Sequence, residues 1–196
     1  IVHDAHEGWT LVVDPAESGP VDAALAHRGW SLTHILNTHH HADHVAGNLA
    51  LKRTHGATVV GAEGDGESIP GIDVDVWDQP DFLLGSSRLS VIQVPGHTRR
   101  HVAYFLEKNT TLFVGDTLFS MGCGRILGGT AQALWSSLER LRTFPPQTKV
   151  YCAHEYTETN ARFALSVDSQ NQKLIERCSK VFDARRQGRP TVPFLM

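Results

Sequence analysis

No apolar run in this chain approaches the ~18 residues that a membrane span needs, and its cations do not outnumber its anions. Eighteen Lys and Arg stand against 21 Asp and Glu, a formal net charge of −3 over 196 residues. Such a balance offers no basic face to nucleic acid or to an anionic membrane, so neither is an expected partner. Cysteine is scarce and odd in number: Cys123, Cys152 and Cys178 are widely spaced. That excludes a disulfide framework and makes a reducing compartment the default. No signal peptide opens the chain, which starts without methionine inside a strand-like run. The cytoplasm is therefore the expected location, with the mitochondrial matrix as the alternative. Repeats and low-complexity segments are also missing. What the chain has in excess is histidine, 12 in all.

Strand-like and helix-like segments alternate. Ile1–Val2 and Trp9–Val13 flank a short turn and read as a hairpin. Pro20 to Arg28 has helical spacing and stops at Gly29. Leu32–Asn37 reads as a buried strand, and Asp43 is placed to cap a helix running to about His55, stopped by Gly56. Residues 57–60, 74–77, 89–94, 102–106 and 111–114 are β-rich. An amphipathic helix spans Ala131 to Phe144 and closes at Pro145–Pro146. Lys149–Cys152 reads as a last strand, and helices over about 157–166 and 169–187 finish the chain. Two groups of strands, each followed by helix, predict an α/β fold of two packed sheets with helices outside, a four-layer αββα sandwich. Its chemistry should sit on loops at strand ends.

The stretch THHHADHVAGN, residues 38–48, leaves such a strand. His39, His41, Asp43 and His44 fall in H-x-H-x-D-H spacing, and imidazole and carboxylate are ligands for zinc, iron and manganese. An i, i+2 pair leaving a strand points both rings the same way. Three more donors follow strands: His97 in VPGH, Asp116 in VGD and His154 in CAH. Seven donors are too many for one tetrahedral ion. They suit two ions that share a bridging carboxylate and lie ~3.5–4 Å apart. Asp14, in VVDP, ends another strand and either orients a ligand or starts a turn before Pro15. His3, His6, His27, His34 and His55 read as surface or packing residues, and Cys123, with no base nearby, is not read as a nucleophile.

THHHADH, PGHT, GDTLF and AHEYT, in this order, resemble the metallo-β-lactamase superfamily. VGDTLFSMGCGR followed by VYCAHEYTETNARFA resembles, within it, the hydroxyacylglutathione hydrolases, or glyoxalase II. The resemblance runs from about Val2 to Pro193. It implies one metal at His39, His41 and His97, a second at Asp43, His44 and His154, and Asp116 between them. Two divalent ions are implied, zinc favoured over iron or manganese, with Asp43 and Asp116 as the catalytic carboxylates. His40 lies between ligands and is not one, and His101 supports the site without ligating. The implied substrate is a small-molecule thioester, S-D-lactoylglutathione or the ester of a related thiol, and the expected assembly is a monomer. Residues 1–156 form the catalytic domain. A C-terminal helical segment, 157–196, is incomplete relative to the family.

Recognition of the thiol is where the chain departs from the family. Arg125 falls at the family's basic position and Tyr156 at a tyrosine that contacts glutathione. Leu127, however, stands where a large, often aromatic residue is usual, and Gly128 stands where the family has an acid. The basic groups the family carries beyond TVP are also missing, and Arg185, Arg186 and Arg189 read as a solvated helix end rather than as their substitutes. Alternatives are a persulfide dioxygenase, a lactam hydrolase on the same scaffold, or a metal-binding protein of low activity.

Overall fold

The computed structural model describes residues 1–64 and 66–196. Its strands are β1 (Val2–Asp4), β2 (Trp9–Val13), β3 (His34–Leu36), β4 (Thr58–Gly61), β5 (Val74–Asp75), β6 (Asp81–Leu84), β7 (Ser87–Gln93), β8 (Val102–Leu106), β9 (Thr111–Gly115), β10 (Leu118–Phe119), β11 (Gly122–Cys123), β12 (Lys149–Cys152) and β13 (Phe194–Leu195). Its helices are α1 (Ser18–Arg28), α2 (Ala42–Val45), α3 (Asn48–His55), α4 (Ala131–Leu141), α5 (Thr157–Val167) and α6 (Gln172–Arg186). Five strands form one sheet in the order β1-β2-β3-β4-β5, and six form a second in the order β13-β12-β9-β8-β7-β6. No helix among the described residues is long and apolar enough to cross a membrane.

The four layers expected from the sequence are present. Leu11, Leu36 and Val60 of the first sheet meet Leu89, Val102 and Tyr104 of the second. Outside the first sheet, Val21 and Leu25 of α1 and Leu51 of α3 cover Val12, Ile35 and Val59. Outside the second, Leu141 of α4 covers Val94, Leu112 and Val150. Each such large apolar side chain contributes roughly 1.5–3 kcal/mol on full burial. Two hydrogen bonds also cross between the sheets beside the site: Tyr104 Oη donates to the Asn37 carbonyl at 2.8 Å, and Val102 N donates to the Thr38 carbonyl at 2.9 Å.

Two expectations change. The single helix read from Asp43 to about His55 is two helices, with Gly47 at the break. Gly47 N donates to the Pro15 carbonyl at 2.9 Å, and a Cβ at 47 would lie 2.7 Å from that oxygen. The chain turns there to meet the loop after β2, which frees α2 to follow its own direction. Asp43 is not the cap; His41 holds that position, and Asp43 lies in the first turn of α2. The sequence reading also passed over β6, a half-exposed edge strand with Leu83 65% exposed, which gives no clean alternation.

Candidate metal centre

Five strands, β2, β3, β7, β9 and β12, deliver side chains from their C-terminal ends to one edge of the sandwich. In the first sheet β2 and β3 are parallel, and in the second β9 and β12 are parallel. Asp14, Thr38 to His44, His97, Asp116 and His154 all follow these strands. Asn37 anchors the histidine segment: its Nδ2 donates to the His44 carbonyl at 2.9 Å, and its Oδ1 accepts from Asn48 Nδ2 at 2.7 Å.

The donors converge in two groups. His39, His41 and His97 bring one ligand atom each within 4.8 Å of one another, as do Asp43, His44 and His154. Asp116 stands between them. Its Oδ2 lies 3.6 Å from His97 Nε2, while its Oδ1 lies 3.6 Å from His44 Nε2 and 3.4 Å from His154 Nε2. All seven sequence-predicted donors therefore reach one site, and His40 stays outside both groups.

Hydrogen bonds set the protons away from the centre. His97 Nδ1 donates to the Arg125 carbonyl at 2.7 Å. His44 Nδ1 donates to Asp14 Oδ2 at 3.1 Å, and His39 Nδ1 to Thr38 Oγ1 at 3.0 Å. Thr38 Oγ1 in turn donates to Asp14 Oδ2 at 2.7 Å. With each Nδ1 carrying the proton, the Nε2 atoms of His39, His44 and His97 are bare acceptors. Two of them crowd His41 Nδ1, at 2.9 and 3.1 Å. Asp116 Oδ1 and His44 Nε2 are buried with no hydrogen-bond partner. Nitrogens crowded in this way around two buried, unpartnered acceptors make a cradle for a cation, so this donor set fits divalent metal.

Ionisation agrees. Burial, helped by the neighbouring histidines, holds His39 well below its ordinary pKa, and burial with His97 and His40 lowers His41. Both are neutral, as ligation requires. Burial opposes protonation of His44, yet Asp14, Asp116 and Asp43 outweigh it and raise its pKa. Burial raises Asp116 against the pull of His44, His154 and His97, so its charge is costly until a cation offsets it.

Supporting residues settle what the sequence left open. Asp14 is the orienting group: it holds Thr38 through the backbone N–H at 2.8 Å as well as the hydroxyl, and its φ is +49°. His101 is wholly buried, stacks on His39 at 4.7 Å, and accepts from Asp116 N at 3.2 Å, which fixes the bridging residue's backbone. His3, His34 and His55 hydrogen-bond Thr10, Thr33 and Asp22 away from the centre, and His6 and His27 are exposed. Burial pushes the Cys123 thiol up, consistent with no nucleophilic role. Arg185 pairs with Glu155, and Arg186 with Asp183, at the end of α6.

Tyr156 lies beside the centre, its ring stacked on His154 at 5.2 Å and edge-on to Phe119 at 5.2 Å. Arg125 and Leu127 are exposed on the loop whose backbone meets His97. A cavity of about 810 Å³ between β10, α6 and the last residues is larger than the 400 Å³ space beside Asp43, His44 and His154, but it holds none of the donors. Sequence reasoning missed Glu67, Thr38 as a proton relay partner, and Phe119; no motif or periodicity marks any of the three.

Asp14→Asn isolates the second-metal histidine. The amide can still accept from Thr38 N, but its NH₂ group can no longer take the proton of both Thr38 Oγ1 and His44 Nδ1. Affinity for the second metal equivalent should fall about 10–100-fold, as when the partner of a ligating histidine is removed. Chelator-competition titration measures it, and unchanged affinity would deny Asp14 its orienting role.

The model of the metallo-β-lactamase superfamily matches residues 1–154, and that of the hydroxyacylglutathione hydrolase C-terminus matches residues 155–196. A hydroxyacylglutathione hydrolase of Methylococcus capsulatus is 54% identical over 196 residues, 100% of this chain and 77% of its own length. This chain belongs to the hydroxyacylglutathione hydrolase family. Solved structures share its fold. ETHE1 from Myxococcus xanthus aligns at TM-score 0.69 and 34% identity over 79% of this chain and 69% of its own. TTHA1623, in a di-iron-bound form, aligns at TM-score 0.64 and 29% identity over 74% of this chain and 81% of its own. A hydroxyacylglutathione hydrolase of this kind is a metal-dependent hydrolase, and the convergent cluster described above is the candidate site for divalent metal.

Proposed function

We propose that this chain hydrolyses thioesters of glutathione, S-D-lactoylglutathione first among them, at two divalent cations. The observation that carries the reading is Asp116, whose two oxygens face two separate groups of donors. His39, His41 and His97 would hold one cation, Asp43, His44 and His154 the other. When bound, such a pair lowers the pKa of a shared water toward ~7 and offsets the charge that develops on an attacked carbonyl oxygen. The chain's own groups do the rest. Asp14, Thr38 and the Arg125 carbonyl hold the imidazole protons outward. Asp43, the most exposed donor, has Oδ2 3.3 Å from His154 Nε2 and is placed to accept a hydrogen bond from the attacking water. The leaving thiolate is stable, so no strong general acid is needed. Zinc is favoured on the donor set, and the di-iron form of TTHA1623 keeps iron an alternative.

Tyr156 offers a ring over His154, and Arg125 offers a guanidinium without an ion pair among the described residues. Arg125 is assigned to a carboxylate of the glutathione half, Tyr156 and Leu127 to the wall beside it. Metal-loaded protein should hydrolyse S-D-lactoylglutathione and lose that activity to a chelator. Arg125→Ala should raise KM about 10-fold or more with kcat nearly kept, since a charge-assisted hydrogen bond contributes ~1.5–3 kcal/mol. Two bound metal equivalents without thioester turnover would overturn the activity. A fall in kcat at constant KM would move Arg125 to the transition state.

A further inference from the structure

Glu67 stands outside both donor groups, between β4 and β5, with its side chain only 10% exposed. A buried carboxylate is costly unless hydrogen-bonded. Its Oε1 accepts from Arg99 N at 3.0 Å, and its Oε2 from Arg100 N at 2.8 Å. Oε2 also faces His40 Nδ1 at 3.6 Å, a buried atom with no hydrogen-bond partner. Gly64 and Glu67 exchange backbone hydrogen bonds of 2.9 Å, which hold the carboxylate's own turn.

Those contacts touch every segment around the first group of donors. His40 separates His39 from His41. Arg99 and Arg100 closely follow His97. Arg99 Nε donates to the Gly128 carbonyl at 3.1 Å. The His97 carbonyl accepts from Leu127 N and Gly128 N, both at 3.0 Å. One carboxylate thus holds the His97 loop, whose Arg99 side chain and His97 carbonyl bond the loop of Arg125 and Leu127. Gly128 meets Glu67 and one of its donors from the other side. A Cβ at 128 would lie 3.2 Å from Glu67 Oε1 and 3.6 Å from Arg99 N, and Gly128 does not adopt the left-handed φ that a side chain would resist. An acid at 128 could therefore reach the Arg99 N–H group that Glu67 now holds.

We propose that Glu67 is a positioning residue: its carboxylate sets the loop that aims His97 and, through Arg99 and Gly128, the loop that receives the thiol half of the substrate. The inference rests on the metal-site reading above, which the wild-type chain's own metal titration tests separately. Glu67→Ala should weaken the metal equivalent held by His39, His41 and His97 about 10–100-fold in chelator competition. It should also raise KM for S-D-lactoylglutathione about 10-fold, with kcat at saturating metal changed about 3-fold or less. Glu67→Gln keeps one oxygen acceptor and should show a smaller loss in both, which serves if the alanine variant does not fold. Adding Gly128→Glu to Glu67→Ala should recover most of the lost metal affinity. Unchanged metal affinity and KM in Glu67→Ala or Glu67→Gln would overturn the proposal. So would a lowered Tm with both constants intact, or a double variant no better than Glu67→Ala.

Discussion

Asp116→Ala should lower kcat/KM for the thioester by about 10³-fold or more, the scale of losing a main electrostatic stabiliser, and reduce bound metal from two equivalents to one or fewer. The carboxylate turns one oxygen toward His97 and the other toward His44 and His154, and on the two-cation reading it would neutralise part of the repulsion between two dications. Folding should not suffer in proportion. His101 holds the Asp116 backbone through its N–H, and that bond does not involve the side chain. The side chain itself is a burden to the metal-free fold, because burial raises its pKa and Oδ1 has no hydrogen-bond partner. The sign follows from linkage. A carboxyl whose folded pKa is raised costs nothing below its unfolded value of ~3.9 and costs most above the raised one. Metal-free Asp116→Ala should thus equal or exceed the metal-free parent in Tm at neutral pH, and that advantage should vanish in acid. The rise in Tm that metal gives the parent should be largely lost in the variant, since only ligand bound to the folded state stabilises it. Two equivalents of metal retained by the variant would remove the bridge from the mechanism.

Gly124→Ala should be nearly as severe without touching a ligand. Gly124 lies against the backbone of Asp116, and a Cβ there would overlap the Asp116 carbonyl oxygen and lie 3.2 Å from His97 Nδ1. The partner atoms are backbone and a constrained imidazole, so neither can step aside. Forcing them apart should cost about 1–3 kcal/mol in stability. It should also displace Asp116 relative to His97, and a shift near 1 Å at a reacting centre costs about 10²-fold in rate. Thermal unfolding and kcat/KM at saturating metal measure the two losses. A variant within about 2-fold of the parent in activity would show that the close approach is incidental.

The convergence of the seven candidate donors was legible because their spacing follows from strand geometry. His39 and His41 leave β3 on one face, and each remaining histidine or aspartate donor ends another strand or begins the short helix after it. The four layers were legible for a similar reason: buried strands and amphipathic helices differ in period. What the sequence hid depends on contact between distant segments. Gly47 breaks the helix after Val45 because Pro15 occupies the space a side chain would need, and no local pattern announces that. Asp14 left two readings open until Thr38 and His44 were seen to share its carboxylate. Glu67 carries no motif at all, and only the fold brings it to Arg99. The thiol-binding loop was legible as a departure, through Leu127 and Gly128, but not as to its anchoring.

The donors leave five strand ends drawn from both sheets, and Asp14 and His154 stand near opposite ends of the chain. Neither sheet alone contains the site. β2 and β3 bring Asp14, His39, His41, Asp43 and His44, whereas β7, β9 and β12 bring His97, Asp116 and His154. A partly folded chain with one sheet formed has only part of either donor group, so on the two-cation reading high-affinity capture would wait on docking of the two sheets. Bound cations would then act as a clasp across the interlayer seam. Opening either layer would forfeit ligands contributed by the other, which joins the two sheets into a single cooperative unit.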